Sequence, residues 1–123
     1  MINASEFRIG NIIQREHKKT GKIDLIKLSA DNIRDLNNSL FDEFYYKYHI
    51  PSDKFLLKYG FKKSVNDSDL RIQINNDISM SIYLCSMIDN CLVGDEVVLT
   101  KIYFHEIQNL YFALTGCELQ YAA

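Results

Sequence analysis

The sequence predicts an α+β fold, a single domain over residues 1–123 built on a mainly antiparallel sheet of about five to six strands with two packed helices. Three observations predict it. Residues 70–84 alternate apolar and polar side chains at the period of a strand. Residues 104–114 repeat apolar side chains at the period of a helix. No repeat, low-complexity tract or Gly/Ser/Pro-rich linker divides the chain.

Bulk properties agree. The chain has 123 residues, 47% of them hydrophobic, enough to bury a core without covalent staples and too many for wholesale disorder. The formal net charge of −2 creates no global field toward nucleic acid or an anionic membrane. Cys85, Cys91 and Cys117 are an odd set with no CxxC and no zinc-type spacing, which points to reduced thiols rather than a disulfide framework. The opening "MINASEFRIGN" has no basic segment followed by an apolar run, so no signal peptide is expected. No run approaches the ~18 apolar residues of a membrane span. A cytoplasmic location is the expectation.

Taken in order, "FRIGNIIQREHKKTGKIDLIKL" (7–28) predicts a β-hairpin. Ile12 and Ile13 open one strand, Thr20-Gly21 supplies the turn, and Ile23, Leu25 and Ile26 continue the second. Gly10-Asn11 is placed to bend the chain before the first strand. Ile33, Leu36 and Leu40 lie at helical spacing behind Ser29 or Asp31 as a cap, but Asn37-Asn38-Ser39 opposes a long helix. A short helical turn near 31–37 results. "FYYKYHI" (44–50) alternates and ends at Pro51, which suits a strand. "SDKFLLKYGF" (52–61) predicts a short helix with Ser52 as N-cap, Phe55, Leu56 and Tyr59 on one face, and Gly60 as its stop.

Leu70, Ile72 and Ile74, then Ile78, Met80, Ile82 and Leu84, alternate with polar residues as in a sheet covered on one face. "SMIDNCLVGD" (86–95) reads as an irregular loop or a short extra hairpin, and "EVVLTKI" (96–102) as a further strand after the Gly94-Asp95 turn. Phe104, Ile107, Leu110, Tyr111 and Leu114 form the apolar stripe of the last helix, which Gly116 ends. His105, Glu106 and Asn109 are expected to face elsewhere.

Catalysis finds no positive support. His17, His49 and His105 lack a His or Cys partner at i+3 or i+4, so no metal site is expected. A Cys–His pair using Cys85 or Cys91 with His105 is far less plain a reading than structural residues. No phosphate loop, GxSxG or HExxH occurs. Asp42, Glu43, Asp67 and Asp69 read as solvated turn charges. No catalytic residue, metal or cofactor is expected.

Two basic groups stand out. Arg15, Lys18, Lys19 and Lys22 crowd the first hairpin's tip and are the candidate partner-binding residues. Lys54 and Lys58 lie one turn apart on the short helix, and Lys62 and Lys63 follow it. Either could meet phosphates, although solvated lysines on a near-neutral protein are the plainer reading. Tyr45, Tyr46 and Tyr48 add the alternative of a single-stranded nucleic-acid binder, since aromatics on an open sheet stack bases.

The stretches "EFRIGN" (6–11), "IPSDKFLLKYGF" (50–61) and "HEIQNLYFALTGCEL" (105–119), in that order, resemble a family of small proteins carried by bacterial phages, prophages and other mobile elements. They cover about a quarter of the chain. "CSMIDNCLVGDE" (85–96) departs from the family's shorter pattern, which makes it a place for a special role. The resemblance brings no catalytic residue with it. It implies a mobile-element context and a host protein as partner, including defence nucleases such as CRISPR–Cas effectors. The basic tip and the tyrosines keep nucleic acid as the lesser candidate, and the lack of a long apolar run leaves no membrane partner expected.

Overall fold

The apolar alternation of the first fifty residues becomes a small sheet in the computed structural model of the protein, which describes residues 4–37, 43–64, 69–84 and 89–121. Strands β1 (Ile12–His17) and β2 (Ile23–Lys27) pair antiparallel, with Ile13 opposite Ile26. Gly21 turns the chain between them at φ 72°, a conformation that favours glycine. Ahead of β1, Gly10 bends the chain. The Asn11 side chain is fully buried there and accepts from the Arg8 amide at 2.7 Å, while Gly10 and Leu28 bond across the strand ends.

Helix α1 (Ala30–Asn37) follows. Ser29 is its cap rather than Asp31: Ser29 Oγ accepts from the Asn32 amide, and Asn32 Oδ1 accepts from the Ser29 amide. This reciprocal pair satisfies two amides that a helix start leaves open. Leu40 and Asn38-Ser39 lie outside the described residues. Strand β3 (Phe44–Lys47) then pairs antiparallel with the free edge of β1, giving a three-stranded sheet in the order β2-β1-β3. The strand expected over 44–50 stops at Lys47.

The chain divides into two compact units, Met1–His49 with Tyr103–His105, and Ile50–Ile102 with Glu106–Ala123. In the first, Phe7, Ile13, Leu28 and Leu36 form a buried cluster, with Ile26, Ile33, Tyr46 and Tyr48 packed against it.

In the second unit, helix α2 (Asp53–Lys58) starts at Ser52, whose Oγ accepts from the Phe55 amide. Gly60 ends it at φ 92°, and the chain folds back so that the Phe61 amide donates to the Leu56 carbonyl. Leu56 and Phe61 are buried. Strands β4 (Lys62–Lys63), β5 (Leu70–Gln73), β6 (Ser79–Leu84), β7 (Asp89–Val93) and β8 (Glu96–Leu99) form a five-stranded antiparallel sheet in sequence order. Asn75 Oδ1 closes the β5–β6 turn by accepting from the amides of Asp77 and Ile78.

The α+β class with antiparallel strands holds. Among the described residues the strands form two sheets, of three and five strands, beside three α-helices and a short 3-10 turn at Ala4–Glu6, where one sheet of five to six strands and two packed helices were expected. Of the two readings of 86–95, the extra hairpin holds from Asp89 onward: β7 pairs with both β6 and β8, with a bulge at Cys91/Leu92. Residues 85–88 lie outside the described residues.

Leu70, Ile82 and Cys91 stand in one cross-strand row, and all are buried together with Met80. Ser81 was expected on an open face but is buried as well. Its direct neighbours across the sheet are Arg71 and Leu92, longer side chains that can cover a serine between them.

Helix α3 (Phe104–Thr115) matches its expected bounds and ends at Gly116, φ 73°. Phe104 and Ile107 are buried, but so are His105 and Gln108, while Leu114 is exposed. The buried arc is thus rotated from the apolar stripe, and the expectation that His105 faces elsewhere is corrected.

Candidate interaction surface

Strand alternation gives the three-stranded sheet two faces. One carries Ile13, Ile26 and Tyr46 toward the first unit's core. The other carries Ile12, Gln14 and Glu16 of β1, Ile23, Leu25 and Lys27 of β2, and Tyr45 and Lys47 of β3. Register aligns these in rows, Ile23–Glu16–Tyr45 and Leu25–Gln14–Lys47. Ile23 is 56% exposed, Tyr45 53% and Leu25 42%. Isolated exposed apolar residues need no explanation, but neighbours on one sheet face do. The sequence held a signal for this face: β2 has apolar residues on both of its sides, although only one can reach a core.

The four basic residues of the hairpin do not act as one group. Arg15 lies within β1, where its guanidinium grips Asp24 through two hydrogen bonds of 2.9 and 3.2 Å and lies 4.3 Å from the centre of the Phe44 ring. The hydrogen bond from Arg15 holds the Asp24 carboxyl below its ordinary pKa. Lys18, Lys19 and Lys22 are exposed on the turn. That turn is braced from inside, because His17 Nδ1 accepts from the amides of Lys19 and Thr20. Lys18 Nζ sits 5.1 Å from the centre of the Tyr45 ring, a cation–π distance. So the lysines border the outer face, with Tyr45 as the link.

The aromatic set is divided in the same way. Tyr46 and Tyr48 pack on the core, leaving Tyr45 as the open one of the three. Tyr48 also donates its hydroxyl to Glu6 at 2.7 Å and stacks against both Tyr103 and His105, with ring centres 4.5 and 5.1 Å away. His105 packs 4.6 Å from Phe7. Its Nε2 lies 4.0 Å from Glu6. Burial pushes its pKa down to about 4, with Glu6 opposing that shift. His49 is likewise lowered by burial.

Cys91 is buried, and burial pushes its thiol up to about 12. It is therefore not a thiolate nucleophile at neutral pH. Cys117 is exposed, and Cys85, Asp42 and Asp67 lie outside the described residues. Asp69 was expected as a solvated turn charge. It is fully buried, and its Oδ2 accepts from Arg71 Nε at 2.6 Å. Among the described residues no three His, Cys, Asp or Glu side chains gather at metal-binding range. No described helix is long and apolar enough to cross a membrane.

No family model matches the chain, and no curated protein or solved structure is significantly similar to it.

Proposed function

We propose that the protein is a non-enzymatic protein-interaction module of a phage or other mobile element. It works in the cytoplasm and binds a host protein through the outer face of the β2-β1-β3 sheet. The carrying observation is that face: Ile23 and Leu25 exposed as neighbours on β2 and Tyr45 exposed on β3 across Glu16, bordered by Lys18, Lys27 and Lys47. Apolar side chains supply the association energy, and the lysines favour a partner with an acidic rim. The sequence resemblance supports the mobile-element setting. It also makes a defence nuclease such as a CRISPR–Cas effector the partner class to examine first, with the protein acting as its inhibitor.

The test is affinity capture from host lysate with the wild-type protein beside Leu25→Glu, followed by direct binding to whatever is recovered. A stoichiometric partner retained by the wild type and lost by the folded variant supports the proposal. Equal recovery by both, or no stoichiometric partner, counts against it.

A second reading, a single-stranded nucleic-acid binder, has one observation in its favour, the Lys18–Tyr45 pair. With Tyr46 and Tyr48 committed to the core, Tyr45 is the one of these three left open for a base to stack on. Binding to short RNA or DNA that falls steeply with salt would favour it. No binding at low salt would remove it.

A further inference from the structure

The second unit carries a feature that the interaction surface does not use. Where α2 hands over to the sheet, β4 is only two residues long, and beyond it the edge of β5 meets a half-open cavity of about 370 Å³. Gly60, Lys62, Arg71, Ile72 and Gln73 line it. Lys62 and Arg71 are direct cross-strand partners. Arg71 answers the buried Asp69 carboxylate, so of the two it is the Lys62 charge that strand pairing leaves without a reason.

Two further details fix the cavity. Fully buried Asp69 accepts from Arg71 Nε at 2.6 Å, which anchors the guanidinium at its inner edge. Gly60 at φ 92° closes α2 without a side chain, and a Cβ there would stand 3.6 Å from Ile72 Cδ1 at the cavity wall. Lys62 is exposed and makes no ion pair with a described residue. Its neighbour Lys63 alternates to the opposite face of the strand.

We propose that this cavity is a binding site for a phosphate-class oxyanion, with Lys62 and Arg71 as its cationic walls. A compact dianion supplies a counter-charge for Lys62, and an arginine fixed by a carboxylate loses little freedom when it meets the anion. The cavity lies at the lower end of the size range of ligand pockets, which suits inorganic phosphate or a small phosphate monoester. The site shares no residue with the outer face of the three-stranded sheet, so its test is independent of the protein partner.

The test is a titration of the full chain at low salt, read by amide chemical shifts and by calorimetry, with inorganic phosphate and glycerol 3-phosphate as probes and acetate as the control. Saturable shifts at residues 60–62 and 71–73 are expected, with acetate weaker. Tighter binding of the ester than of inorganic phosphate would identify a phosphorylated small molecule as the source, and the reverse would identify the free ion. Lys62→Gln, on an exposed side chain, should melt like wild type and weaken binding roughly tenfold or more. Lys63→Gln should bind like wild type. No saturable binding by either probe, shifts centred on Lys18–Lys22 instead, or equal weakening by Lys62→Gln and Lys63→Gln would overturn the proposal.

Discussion

His105 gives the stability of the first unit a pH dependence that its packing makes calculable. The ring is 1% exposed, packs against Phe7 and Tyr48, and has no hydrogen-bond partner on Nδ1 among the described residues. In the unfolded chain the imidazole takes up its proton near the ordinary 6.5, whereas in the folded protein burial delays this to about 4. Between those values the unfolded state binds the extra proton, so stability is full above pH 6.5 and is lost as pH falls toward 4. Each pH unit inside the window removes up to about 1.4 kcal/mol. Glu6, exposed and 4.0 Å away, partly offsets the cost of a charged ring and is itself screened by water. We therefore expect a loss of about 1–2 kcal/mol between pH 7 and pH 5. Urea melts at the two pH values, on wild type, His105→Phe and His105→Gln, measure it. The variants should lose less stability over the same interval, while the contribution of His49 cancels in the comparison. Direct observation of the His105 ring resonance should show no titration above pH 5. Titration near pH 6.5 with the fold intact would refute the reasoning.

Four further outcomes follow. Ile107→Ala, at a fully buried position of α3, should cost about 2–5 kcal/mol in chemical denaturation, and a loss below ~0.5 kcal/mol would mean that the helix face is not core. Ser52→Ala should cost about 1 kcal/mol by removing the bond from the Phe55 amide, which the same denaturation series reads. Iodoacetamide at neutral pH, followed by peptide mapping, should modify exposed Cys117 well before buried Cys91. Lys18→Glu with Lys19→Glu should leave the melting temperature within the range of a surface change, because both side chains lie on an exposed turn, and should slow association with an acidic partner.

Local structure was legible in the sequence wherever one residue type has one physical use. Gly21, Gly60, Gly94 and Gly116 all take positive φ at the turns and stops expected of them. Ser52 caps α2 as read, because its hydroxyl has an open amide within reach. Sheet membership was not legible. Period-two alternation says that a strand has two faces, but carries nothing about which strand lies beside it, so β1–β3 and β4–β8 could not be told apart as two sheets. The misread polar residues share another cause. His105, Asp69 and Ser81 are polar by composition yet buried, and the neighbours of His105 (Phe7 and Tyr48) and of Ser81 (Arg71 and Leu92) come from elements distant in sequence or across a sheet. The candidate surface was legible in part. The lysines of the turn were visible, while the pairing of Arg15 with Asp24 needed the strand register, which sets the two directly opposite each other.

The most direct measurement of the central claim is the affinity of a captured host partner for the wild-type protein against Ile23→Asp and Leu25→Glu, with melting followed in parallel. Both side chains are exposed on the outer face of β2, so the fold should be preserved. The account predicts unchanged melting and a loss of binding of tenfold or more for each variant, by roughly the energy of one buried apolar anchor at an interface. Wild-type affinity in both folded variants would contradict it.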